Sequence, residues 1–99
     1  MNIQQMIQAA QKAQRQYDKK HLEIEAKEYE FTANGAVKVV LKGTMEMVSI
    51  EFLDEDLLKD DPEMAIDMIR IAYNGCRDQI AADEDALQAE FQRQTGGMF

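Results

Sequence analysis

Between Ile3 and Ile24 the apolar positions recur at alternating steps of three and four: Ile3, Met6, Ala10, Ala13, Tyr17 and Ile24, with Lys20 as the polar interruption. That spacing predicts a helix with a coiled-coil-like seam, and the small residues in mid-seam permit close approach of a partner. Residues 2–26 contain neither Gly nor Pro and are rich in Gln, Ala, Lys and Glu, and Asn2 is placed to cap the start. At 1.5 Å per residue, about 25 residues make a helix of roughly 37 Å, longer than a small domain covers. Part of it is therefore expected to project or to pack on a second chain.

The period then changes from helical to alternating. Residues 28–32 (EYEFT) place Tyr29 and Phe31 on one face, and Asn34-Gly35 is a strong hairpin signal because both residues tolerate positive φ. Residues 36–42 (AVKVVLK) put Val37, Val39 and Leu41 on one face and Lys38 and Lys42 on the other. Gly43-Thr44 marks a second turn, and residues 46–52 (EMVSIEF) are expected to present Val48, Ile50 and Phe52 inward. An acidic connector follows, in which Leu57 and Leu58 anchor a short helical turn, with Asp61 as N-cap ahead of Pro62. A long helix over 63–93 then carries a stripe of Ile66, Ile69, Tyr73, Cys76, Ile80, Leu87 and Phe91, widened early by Ala65, Met68 and Ala72 and ended by Gly96-Gly97 ahead of Met98-Phe99. Past Ile80 the stripe thins at Asp83, Glu84 and Asp85, so the last turns are expected to be more exposed. The order αβββα makes an α+β fold, a three-stranded antiparallel meander between two long helices, expected as one domain over 1–99.

Composition adds a constraint. The 99 residues carry 11 Lys+Arg and 19 Asp+Glu, a formal net charge of −8, which argues against indiscriminate binding of polyanions. The charge is uneven, however: residues 1–22 carry four bases and one acid, and residues 23–99 carry seven bases and eighteen acids. One cysteine makes neither an internal disulfide nor a zinc site, and no apolar run is long enough to span a membrane. With no signal-peptide pattern at the start, the expectation is a cytoplasmic protein.

Taken in order, these segments resemble the YbaB/EbfC family of bacterial nucleoid-associated proteins. The likeness rests on the Gln/Met/Lys-rich first helix (NIQQMIQAAQKAQRQ), the strand GAVKVVLKG and the Val48-Ser49-Ile50 strand. It continues through the acidic turn DLLKDDPEM, Ala72-Tyr73-Asn74 in the last helix and the Gly-rich end closing on Phe. The resemblance implies a dimeric, tweezer-like body with helices projecting as arms, association with DNA, nucleoid organisation and gene regulation, and no catalysis. It places DNA contact on basic residues of the terminal helices: Lys12, Arg15, Lys19 and Lys20 in the first, and Arg77 and Arg93 as secondary contacts in the last. The last helix departs from a good DNA binder, since Asp78, Asp83, Glu84, Asp85 and Glu90 surround its two arginines.

The residues themselves refine that placement. With Ile3 and Met6 as heptad positions a and d, Lys12 and Lys19 fall at c and Arg15 at f, opposite the seam. Such a stripe is either the solvated side of a long helix or a phosphate-contacting face. In a dimer it occurs twice. Gln8, Gln11, Gln14 and Gln16 share the helix, but no cluster is evidently aimed at base edges, so weak sequence preference is expected. His21 has no Cys or second His near it and reads as a polar helix residue; Cys76 reads as a small buried hydrophobe. Met6, Met64 and Met68 read as core or interface filler. DEDLLKDD lacks the spacing and central glycine of a calcium loop, no Gly-rich phosphate loop follows a strand, and no catalytic constellation can be built around one His. The leading expectation is a non-enzymatic, cofactor-free, homodimeric DNA-binding protein of the nucleoid, without small-molecule substrate or membrane attachment. The alternative is a dimeric interaction scaffold without nucleic-acid binding, favoured by the pI near 4.5.

Overall fold

The computed structural model describes residues 2–96, so Gly97 and the Met98-Phe99 tail lie outside the described residues. Helix α1 (Ile3–Ala26) leads into strands β1 (Glu28–Ala33), β2 (Val37–Lys42) and β3 (Met47–Phe52), a one-turn helix α2 (Leu57–Asp60) and helix α3 (Pro62–Thr95). The strands form an antiparallel sheet in the order β1-β2-β3. The fold is the αβββα arrangement, drawn out to 68 × 18 × 15 Å.

Local chemistry sets the boundaries. Asn2 caps α1 through a reciprocal box: its side chain accepts from Gln5 N at 2.8 Å while its own N–H donates to Gln5 Oε1 at 3.3 Å. Asn34 (φ 50°) and Gly35 (φ 68°) turn β1 into β2, closed by Ala36 N–H donating to Ala33 O at 2.9 Å. Gly43 N–H donates to Lys27 O at 3.0 Å, and a Cβ on Gly43 would collide with the Ile24 carbonyl. Only glycine lets the end of α1 sit this close to the sheet. Asp61 caps α3 by accepting from Met64 N at 3.1 Å, with Pro62 at the first turn.

Helix α3 crosses β1 and β2. Tyr29, Ala33, Val37, Val39 and Leu41 are buried against Ala65, Met68, Ala72, Cys76 and Ile80. The buried line on α3 is the small-residue side of the expected stripe: Ala65, Ala72 and Cys76 are small, so the helix lies close to the strands on that line, and Ile66 is displaced to a flank at 55% exposure. A second departure concerns β3. Ile50 pairs with Val39 and Phe52 with Val37, which puts their side chains on the buried face, yet Ile50 is 39% exposed and Val48 is exposed too. The cause is lateral. α3 tilts toward β1, where Gln79 donates to Glu30 O at 3.0 Å and Gly75 leaves room for the Phe31 ring. Its opposite flank, with Ile66, Ile69 and Tyr73, overhangs the β3 side without covering it. A bulge between Val40 and Leu41 also displaces Val48 from the ladder. Of the methionines expected as filler, Met68 is buried, Met6 half-buried and Met64 exposed.

Candidate nucleic-acid interface

The second halves of α1 and α3 pack antiparallel as a two-helix arm, held by contacts that climb it in register. Nearest the sheet, Tyr29 Oη donates to Asp83 Oδ2 at 2.7 Å and Lys27 Nζ approaches the same oxygen at 3.2 Å. The Tyr29 hydrogen bond, then that of Lys27, holds the Asp83 carboxyl below the usual carboxylate range, while burial and this acid push the Tyr29 phenol up. One step further, Lys20 Nζ pairs with Glu90 Oε1 at 2.6 Å. Tyr17 then meets Phe91 with ring centroids 5.3 Å apart and stacks on His21 at 5.9 Å. Ala13 and Leu87 are buried between the helices. The last turns of α3, expected to be exposed, are thus half covered by α1.

This packing sorts the basic residues into two groups. Lys12, Arg15 and Lys19 are exposed on the face of α1 opposite the seam, and none forms an ion pair within the described residues. Three and four residues apart, they span about 10 Å along the helix. Lys20 points the other way, into the arm, where Glu90 holds it. On α3, Arg77 lies over the Tyr73 ring at 6.0 Å, on the flank toward β3, and Arg93 is exposed in the last turn. The structure therefore brings three of the six expected contact residues onto one file and leaves the other three apart. The acid within the basic stretch, Asp18, accepts a hydrogen bond from Gln14 at 2.9 Å.

The remaining candidate chemistry resolves into packing. Cys76 Sγ donates to the Val39 carbonyl at 3.3 Å in the core, and burial pushes its thiol up, away from thiolate chemistry. His21 Nδ1 lies 3.0 Å from Glu25, one turn along the same helix. Among the described residues no group of three or more His, Cys, Asp or Glu is placed to hold a metal. None of the described helices is long and apolar enough to cross a membrane.

An outward basic file on a projecting helix presents positive charge that is unpaired among the described residues. The profile of the YbaB/EbfC DNA-binding family matches residues 1–98. The chain belongs to that family. It is similar to a nucleoid-associated protein of Clostridium kluyveri, 34% identical over 98 residues that cover 98% of this chain and 83% of the relative. It is also similar to one of Pelotomaculum thermopropionicum, 37% identical over 98 residues that cover 98% of this chain and 90% of the relative. In fold, it resembles the crystal structure of an uncharacterized protein of Helicobacter pylori, with a TM-score of 0.55 at 18% identity over 99% of this chain and 97% of that one. Membership of the YbaB/EbfC family, a DNA-binding family and not one of enzymes, agrees with the lack of catalytic residues noted in the sequence.

Sequence reasoning did not reach the pairing of Lys20 with Glu90. A lysine at a seam position was the available signal, since a cation on a buried line needs a counter-charge from the facing helix. Nor did it separate the α3 flank of Ile66, Ile69 and Tyr73 from Ala65, Met68 and Ala72, all of which it read as one stripe.

Proposed function

We propose that this protein is a homodimeric, nucleoid-associated DNA-binding protein that holds duplex DNA by the outward face of α1, with weak sequence preference. The observation that carries the reading is the file of Lys12, Arg15 and Lys19, three unpaired bases on a projecting helix of a chain whose net charge is −8. Phosphates supply most of the affinity in such binding, and each neutralised phosphate releases counterions. Family membership and the relatives' description as nucleoid-associated proteins support DNA as the partner and the cytoplasmic nucleoid as the place. Lys20 is a reserve contact that acts only when Glu90 releases it, and Arg77 and Arg93 are secondary. Nucleoid organisation and gene regulation are the roles this binding would serve.

The second copy belongs on the β3 side. Val48 and Ile50 on β3 and Ile66 on α3 are exposed apolar residues, and β3 presents an unpaired strand edge, the kind of edge that a folded chain must cover. A dimer closed there carries two α1 arms and doubles the basic file. The test is fluorescence anisotropy with a labelled duplex. Replacing Lys12, Arg15 and Lys19 with Glu is expected to weaken binding by at least about 100-fold at low salt, as loss of most phosphate contacts requires. Unchanged affinity in this variant overturns the reading and favours a protein-binding scaffold.

A further inference from the structure

The free end of α1 is built differently from the rest of the arm. Gln94, in the last turn of α3, lines the same crevice as Ala13 and Tyr17, so among the described residues α1 runs on past the end of α3 over its first nine or so residues, where Met6, Ala9 and Ala10 are half-buried. Ile3 and Ile7 on this tip are 76% and 52% exposed. Residues 2–11 carry no charge at all, in a protein that is 30% charged. Gln4, Gln8 and Gln11 are exposed and hold no hydrogen bond to another described residue, whereas Gln5 serves the capping box. At helical spacing, Gln4 and Gln8 run in line with Lys12, and Gln11 with Arg15, so the amide surface continues directly into the basic file. Ile7 borders it, one turn from Gln4 and Gln11.

Width and chemistry together narrow what this tip meets. A single α-helix with its side chains is about 10–12 Å across and the major groove about 12 Å wide, so the tip fits; the two-helix arm, whose axes stand about 8–10 Å apart, does not. The tip carries no charged side chain, so it holds no acid that the groove would repel. Each glutamine offers a donor and an acceptor together, the pair that matches the N6 and N7 positions of adenine. The capping box keeps the end helical without help from α3.

The geometry points to the tip of α1 as a major-groove reader of A·T pairs, in which Gln4 and Gln8 contact adenine edges while Lys12, Arg15 and Lys19 fix the backbone. This rests on the DNA-binding reading and deepens it. The preference is modest because one helical turn per copy carries it.

The test measures affinity of the full chain for three 20-base-pair duplexes at one salt concentration: A·T-rich, G·C-rich, and A·T-rich with 7-deazaadenine, which lacks the N7 acceptor. The native protein is expected to favour the A·T duplex about 5- to 10-fold, in keeping with one or two contacts of this kind, and to lose that preference on the 7-deaza duplex. The double variant Gln4→Ala, Gln8→Ala is expected to bind all three duplexes alike, with its salt dependence unchanged. Lys12→Ala is expected to weaken all three equally and to keep the preference. Equal native affinity for the duplexes, preference surviving on the 7-deaza duplex, or preference surviving in the glutamine variant each overturns the inference while DNA binding stands. No binding to any duplex overturns the reading beneath it.

Discussion

Glu90 decides how much of the basic stretch faces outward. It stands 2.6 Å from Lys20 across the arm, with both side chains partly open to water. A pair this exposed contributes at most about 1 kcal/mol to stability, yet it withdraws one cation from any anion outside. Glu90→Gln is expected to leave the urea midpoint nearly unchanged and to raise DNA affinity about 2- to 5-fold, as one additional phosphate contact would. Asp83 works in the opposite sense, on stability alone. Its carboxyl is depressed in the folded state, first by the Tyr29 hydrogen bond and then by Lys27, so its contribution is complete above the ordinary carboxylate value of about 4. That contribution is lost as the pH falls through the depressed native value. The stability difference between the native protein and Asp83→Asn, followed by urea denaturation, is therefore expected to be largest near neutrality and to shrink toward pH 3. Neither pairing was legible in the sequence, because each joins residues more than 50 positions apart whose meeting depends on the α1–α3 register.

The helices and strands themselves were largely legible. Asn34-Gly35, the alternation of Val37, Val39 and Leu41, and Pro62 behind Asp61 act through φ, periodicity and capping, which are local. What a single chain's pattern could not supply was the lateral position of α3 on the sheet. Ile66, Ile69 and Tyr73 satisfy the helical period as well as Ala65, Met68, Ala72 and Cys76 do, and the smaller set won because it permits closer packing on the strands. Ile50 then lies on the correct side of the sheet but stays exposed, whereas Phe52 is half-buried against the core and the bulge displaces Val48. Two outcomes belong to this scale. Gly43→Ala is expected to destabilise by more than about 1 kcal/mol, since a methyl there collides with the Ile24 backbone. Asn2→Ala is expected to cost about 1 kcal/mol of helix stability, read as faster amide exchange in the first turns of α1 with the sheet unaffected.

Across the whole molecule the charge is segregated, and the segregation has a purpose only if the halves have different partners. The body and α3 carry most of the acids and the uncovered apolar β3 side, while the outward face of α1 carries unpaired bases. Two acidic bodies can join through an uncharged apolar surface, and joining them places two basic files on one particle. Ile50→Asp, which puts a charge in that surface, is expected to give a folded monomer by light scattering at micromolar concentration and to weaken DNA binding by at least about 10-fold through lost bivalency. The resemblance of ordered segments reached the family from sequence; which lysines remain available became visible only with the arm assembled.

The salt dependence of duplex binding tests the electrostatic grip most directly. In the proposed dimer, three unpaired bases per copy give about six phosphate contacts, so log K plotted against log salt is expected to fall with a slope near −5. The slope should drop to near zero, with binding almost lost, once Lys12, Arg15 and Lys19 are reversed in charge. A native slope that is already flat, or one the reversed protein reproduces, would contradict the assignment of these three residues as the DNA-holding face.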